Sequence, residues 1–124
     1  MQDFILEEEN VRAQPQVSIR HEGDVAIFDI TGYLTNESEE ALNDAYADNG
    51  VQDATKLLLN FERQSFITSS GFGTIIKLLW KTRDKGQTLR IAHPAMQVRT
   101  IFNTIGLTQS IGVYASEAEA LEDF

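Results

Sequence analysis

The sequence predicts an α/β domain with a mainly parallel sheet, and three observations carry that expectation. Short apolar or alternating segments are separated by longer stretches whose apolar residues fall at helical spacing. The two kinds follow one another in the order β-β-α-β-α-β-α-β-α, which places parallel strands under helical cover. Leu57, Leu58 and Leu59 stand in a row without alternation, as in a strand buried on both faces.

Residues 1–15 read as an acidic N-terminal extension, with Glu7, Glu8 and Glu9 in a run and Pro15 at its close. Phe4, Ile5 and Leu6 give it apolar residues able to dock on the domain or a neighbour. The domain proper is expected over residues 16–124. Val17, Ile19 and His21 alternate with Ser18 and Arg20, the period of a half-buried strand. Glu22-Gly23-Asp24 reads as a tight turn, and Val25 to Ile30 as the second strand of a hairpin. Val25, Ile27 and Asp29 share one face of it; a carboxylate there is either outward-facing or paired.

Asn36 followed by Glu39 resembles a capping box, opening a helix to about Asn49 with Ala41, Leu42, Ala45 and Tyr46 as its stripe. Asn49-Gly50 is the expected stop. Lys56 to Phe61 is the central strand. Gly71 to Lys85 is the longest helix, with Phe72, Ile75, Ile76 and Leu79 on one face and Gly86 at its end. Leu78 and Trp80 lie off that stripe: they fill a second layer of core or, if exposed, are contact residues beside the helix start. Lys77, Lys81, Arg83 and Lys85 make the helix locally basic, either as a solvated face or as a patch for an acidic partner.

Thr88 to Ala92 is the next strand. Pro94 opens a helix carrying Val98, Ile101, Phe102 and Ile105, which Gly106 closes, with Leu107 packing back. Ile111 to Tyr114 is the last strand, and Ser116 with Glu119 caps a final helix.

Composition narrows the function. The 124 residues are 42% hydrophobic and suit one domain with its own core. No run of about 18 apolar residues spans a membrane, and the acidic start lacks the basic and apolar regions of a signal peptide. A soluble cytoplasmic protein is expected. Without cysteine there is no disulfide, zinc–thiolate site or thiol nucleophile. His21 and His93 leave little for a metal centre, and no cofactor is expected. With 19 acids against 10 bases the net charge is −9, which argues against nucleic acid and for a basic or mixed protein surface as partner.

The stretch Gln64-Ser65-Phe66-Ile67-Thr68-Ser69-Ser70-Gly71-Phe72-Gly73 carries the function. It is expected as a loop joining a buried strand to the longest helix, with Ser69 and Ser70 at the helix N-terminus. Free backbone N–H groups and the positive end of the helix dipole gather there. A hydroxyl at that point either caps the helix or holds a phosphate. Gly71 and Gly73 are expected to let the backbone turn closely into the helix. Ile76 replaces the third glycine of a dinucleotide fingerprint. Neither serine lies in a Gly-x-Ser-x-Gly elbow, and His21 and His93 read as surface or turn residues, so the chain is not expected to be an enzyme.

The whole pattern resembles the STAS domain of the anti-sigma factor antagonist type. Phe28-Asp29-Ile30-Thr31-Gly32-Tyr33-Leu34 resembles that family's apolar strand followed by Gly-x-Leu. Leu57-Leu58-Leu59-Asn60-Phe61 resembles its central strand, and Phe66 to Gly73 its Asp-Ser-Ser/Thr-Gly-Leu-Gly stretch. Leu89-Arg90-Ile91-Ala92, Val98-Arg99 and Thr104-Ile105-Gly106-Leu107 resemble its closing strand, next helix and helix end.

The resemblance implies a binding protein. Its partner would be an anti-sigma factor that is also a serine kinase, and a PP2C-type phosphatase would reverse the modification. By position the phosphorylated residue is Ser69, with Thr68 and Ser70 as lesser candidates. Thr35, Thr68, Ser69, Ser70, Gly71, Phe72 and Gly73 would form the partner-binding surface of a monomer or weak dimer. Two residues depart from the pattern: Thr68 and Thr35 stand where the family commonly has Asp, which makes the site less negative. A non-phosphorylated STAS scaffold, or a module binding a nucleotide or small ligand through the Ser69–Gly73 helix start, are the competing readings.

Overall fold

The structure, a computed structural model, describes residues 16–94, 96–104, 106, 111–122 and 124. The expected extension over 1–15, and the residues Ile105 and Leu107, lie outside the described residues. Among the described residues five strands and five helices follow one another. They are β1 Gln16–Glu22, β2 Val25–Leu34, α1 Ser38–Tyr46, α2 Asn49–Asp53, β3 Lys56–Ile67, α3 Ser69–Asp84, β4 Thr88–Ala92, α4 Met96–Thr104, β5 Gly112–Tyr114 and α5 Glu117–Leu121.

The strands lie side by side in chain order. β1 runs antiparallel to β2, and β2, β3, β4 and β5 run parallel. When parallel neighbours are joined in sequence by crossovers of one hand, the crossover helices fall on one face. The core shows this: Phe28, Ile30, Leu57, Leu59 and Ile91 of the sheet pack with Leu42 of α1, Val51 of α2, Ile75 and Leu79 of α3 and Phe102 of α4. Among the described residues only α5 covers the opposite face. There Val25, Ile27, Leu58 and Ala92 meet Ala120, with Tyr114, Leu121 and Phe124 at the margin. Leu57, Leu58 and Leu59 are all fully buried, as a strand covered on both faces requires.

Several boundaries differ from the sequence reading. Asn36 does not cap α1. The N-cap is Glu37 with no side-chain bond, and buried Ser38 Oγ instead accepts from the Thr35 amide at 2.8 Å and donates to the Tyr33 carbonyl at 3.3 Å. The helix stops at Tyr46 because Asp48 restarts it, accepting from the amides of Gly50 and Val51 to cap α2. Ser116 does cap α5, accepting from the Glu119 amide at 3.1 Å.

The largest difference is in β3, which continues to Ile67 rather than ending near Phe61. β4 pairs only with residues 56–60. Beyond them the β2–β3 ribbon runs on, pairing Thr31 with Arg63 and Leu34 with Ile67, with β1 alongside as far as the Gln16–Thr31 pair. Two register shifts put extra residues on β3, and Gly32 meets one of them with φ of +79°. The start of α3 sits at the tip of this ribbon. Among the described residues no helix is long and apolar enough to cross a membrane.

Candidate functional site

Ile67, Thr68 and Ser69 make a one-residue turn from strand to helix. The Thr68 amide donates to the Leu34 carbonyl at 3.0 Å, tying the end of β3 to the end of β2. Thr68 is extended and is the N-cap of α3: its Oγ1 accepts from the Gly71 amide at 3.0 Å. Neither Ser69 nor Ser70, the residues expected to cap, does so. Ser70 Oγ instead shares a 3.0 Å hydrogen bond with Thr68 Oγ1. Ser69 is the first residue of α3, exposed, and its hydroxyl makes no hydrogen bond among the described residues.

Gly71 makes this turn possible. A β-carbon there would lie 2.2 Å from the Leu34 carbonyl oxygen and 3.2 Å from Ile67 Cγ1, so the helix enters against the backbone of β2. Phe72 is buried and meets Phe102 edge-on at 5.2 Å, fastening the helix start to α4. Gly73 differs from expectation. A β-carbon there would meet nothing within 4 Å, so its lack of a side chain leaves the outer surface of α3 flat rather than allowing a close turn.

The structure therefore brings Thr35, Thr68, Ser69, Ser70 and Gly71 together at the carboxyl ends of two parallel strands, where open α/β sheets commonly bind. Phe72 points into the core below. Thr35 lies just past β2, its Oγ1 accepting from the Glu37 amide at 3.1 Å. The positions that would hold acids by resemblance hold two threonines, each spent on a local turn or cap.

The histidines are elsewhere. His21 is exposed on β1 near the opposite end of β2, as its pairing with Ala26 shows. His93, with φ of +58°, turns its Nε2 to accept from the Glu117 amide at 3.4 Å. Among the described residues no group of three His, Asp or Glu side chains is placed to hold a metal.

Leu78 and Trp80, left open between core and contact surface, divide: Leu78 is buried in the main core, while Trp80 is 56% exposed, with the Arg83 guanidinium 5.6 Å from its ring centre. Sequence reasoning missed a polar cleft of about 470 Å³ on the back of the sheet, where Arg20 bridges the carboxylates of Asp29 and Glu117. Asn60 donates to Asp29 there at 2.8 Å. The hydrogen bonds of Arg20 to Asp29 first and Glu117 second raise the already high pKa of the guanidinium. The only sequence signal was an aspartate inside a strand, and it proves to be paired.

The STAS domain pattern matches residues 16–120, nearly the whole chain. The chain belongs to the STAS domain family. Solved structures of similar fold include a candidate anti-sigma factor antagonist from Thermotoga maritima, with TM-score 0.76 and 18% identity over 86% of this chain and 92% of that one. The phosphorylated form of the Bacillus cell fate determinant SpoIIAA has TM-score 0.66 and 24% identity over 88% and 97%. A sulfate transporter family protein of Wolinella succinogenes also matches, with TM-score 0.70 and 16% identity over 82% and 85%. The STAS fold thus serves both regulators and transporter-family proteins, and at these identities the likeness is one of fold.

Proposed function

We propose that this STAS protein is an anti-sigma factor antagonist controlled by phosphorylation of Ser69. Unphosphorylated, it binds an anti-sigma factor that is also a serine kinase; phosphorylated, it lets that partner go, and a PP2C-type phosphatase restores it. The protein is a substrate rather than an enzyme.

One observation carries this reading. Of the three hydroxyls at the helix start, Thr68 is consumed as the cap and Ser70 is bonded to it, while Ser69 is exposed and unengaged. A kinase needs a hydroxyl it can reach and turn toward a phosphoryl donor, and of the three Ser69 alone offers one that breaks no hydrogen bond when it turns. The product is tolerated by the fold. The amides of Ser69 and Ser70 have no carbonyl one turn back, and the N-terminus of a 16-residue helix favours an anion. A phosphate carrying about −1.5 to −2 charge would therefore act on whatever docks over the helix start, not on folding.

The test is intact-mass and phosphosite analysis of the protein purified from its native cells, with and without phosphatase. A single phosphatase-sensitive phosphate on Ser69 is expected. A phosphate on Thr68, or none under any growth condition, would overturn the assignment.

A further inference from the structure

Trp80 is exposed on the outer side of α3, with half-buried Ile76 one turn before it, and its surroundings are basic. Lys77 and Arg83 stand three residues before and after it, beside it on the helix surface. Of the ten Lys and Arg residues in the chain, four fall between Lys77 and Lys85, on this helix and its C-cap. Only part of that charge is answered. Lys77 pairs with Glu39 at 2.9 Å, and Asp84 follows Arg83 on the helix. Lys81 bonds Asn43 and Lys85 bonds Gln52, both neutral amides. Among the described residues, then, Lys81, Arg83 and Lys85 have no carboxylate in an ion pair. The result is an apolar spot ringed by net positive charge on a chain of net charge −9.

The other hollows have the opposite sign. The back cleft sets Asp29, Glu62 and Glu117 against Arg20. A second hollow of about 260 Å³ beside His21 is lined by Asp24 and Asp53.

The segment before β1 carries the pattern complementary to Trp80. Phe4, Ile5 and Leu6 are followed at once by Glu7, Glu8 and Glu9, with Asp3 ahead of them. We infer that residues 3–9 dock on the Trp80 face of α3, the apolar triplet against the indole and Ile76 and the acids against Lys81, Arg83 and Lys85. The docked segment returns to the indole the burial that the domain leaves undone, which for so large an apolar side chain is substantial. The acidic hollows would repel the same segment. This contact is independent of the fate of Ser69.

The reach is sufficient. α1 packs directly on β1, and α3 lies one helix further on, about 8–10 Å between axes. Leu6 precedes Gln16 by ten residues, which extended span up to about 35 Å. A tether of this length holds its segment at an effective concentration in the millimolar range, so an intrinsic dissociation constant of about 1 mM already covers the indole about half of the time. A second copy could offer its own segment only at its bulk concentration.

Trp80 is the only tryptophan in the chain, so its emission reports this face alone. Acrylamide, a neutral quencher, reads its exposure without responding to the local charge. The full chain is compared with two variants, Phe4→Ser/Ile5→Ser/Leu6→Ser and Glu7→Lys/Glu8→Lys/Glu9→Lys, with circular dichroism confirming that each is folded. The wild-type indole should emit further to the blue and be quenched about twofold less than either variant, as a half-covered site requires. High salt should open the wild type toward the lysine variant. In a Lys81→Glu/Arg83→Glu background the order should reverse: the native extension leaves the indole open, and the lysine extension covers it.

Equal quenching in the wild type and both variants would overturn the docking, whether the indole is open in all three or shielded in all three. Shielding that grows with protein concentration would place the segment on a second copy and overturn the intramolecular contact. Failure of the charge exchange to restore shielding would remove Lys81 and Arg83 as its receivers and overturn the assigned surface.

Discussion

A β-carbon on Gly71 would come within 2.2 Å of the carbonyl oxygen of Leu34, the same oxygen that accepts from the Thr68 amide. The contact is with backbone, which cannot swing aside as a side-chain end can. Gly71→Ala is therefore expected to push the start of α3 off the β2–β3 ribbon and to cost about 1–3 kcal/mol or more. Gly73→Ala, two residues on, should do the opposite. Its added methyl meets nothing within 4 Å, and alanine gains about 0.5–1 kcal/mol over glycine inside a helix. Urea unfolding of the two variants should show shifts of opposite sign; a shared sign would contradict the close approach at Leu34.

Thr68 and Ser69 should separate cleanly by stability and modification. Thr68→Ala removes the cap on the Gly71 amide and is expected to cost about 0.5–2 kcal/mol, while phosphate transfer to Ser69 continues. Ser69→Ala breaks no bond among the described residues and should unfold at the wild-type midpoint, yet accept no phosphate. Kinase assays with radiolabelled ATP, run beside unfolding curves, distinguish these outcomes. A stability loss in Ser69→Ala that matches Thr68→Ala would mean the cap lies on Ser69 instead.

Tyr46 and Gln87 form a buried polar junction between the helix layer and β4. The Tyr46 hydroxyl donates to Gln87 Oε1 at 2.6 Å, and Gln87 Nε2 donates to the carbonyls of Val51 and Ala54. Tyr46→Phe leaves that Oε1 without its donor and should cost about 1–3 kcal/mol. Burial, then the Asp84 carboxylate, raises the Tyr46 pKa above its ordinary value. A raised pKa means that folding favours the neutral phenol. That stabilisation is complete below the unfolded pKa of about 10 and is lost as pH rises through the folded one. The stability gap between wild type and Tyr46→Phe should thus hold at pH 8 and narrow at pH 11; a gap that widened with pH would reverse the sign.

Periodicity exposed the strands and helices whose faces differ in polarity, such as β1, the triple leucine of β3 and the stripe of α3. It lost β3 beyond Phe61 because Arg63, Gln64 and Ser65 are polar and two register shifts break the alternation there. It carried α1 too far because nothing local announces that Asp48 will turn and cap a second helix. At the site, residue types placed the hydroxyls at the helix start, but which one caps it depends on backbone conformation: Thr68 is extended and Ser69 helical. Trp80 sits near the edge of the α3 stripe, and its exposure depends on where α1 and α4 lie, a tertiary fact. The back cleft was still less legible, since Arg20 and Glu117 are 97 positions apart.

That cleft leads to a last expectation, about the C-terminal helix. α5 has five residues, too few to be stable alone, and two arginines of the sheet hold it from either side. Arg20 reaches the Glu117 carboxylate at its first turn. Arg90 donates to the carbonyls of Ala120 and Glu122 at its end, at 2.9 and 3.0 Å, and stacks over Tyr114 and Phe124. The Arg20 pair is partly exposed, so Arg20→Met should cost no more than about 1 kcal/mol of global stability, while Arg90→Met gives up two carbonyl bonds and two ring contacts. Native-state hydrogen exchange should show α5 amides exchanging faster in both variants, more so in Arg90→Met, with β2 and β3 unchanged apart from the global shift. Uniform acceleration throughout the sheet would instead make α5 part of one cooperative unit with the core, and its arginine clasps no more than surface detail.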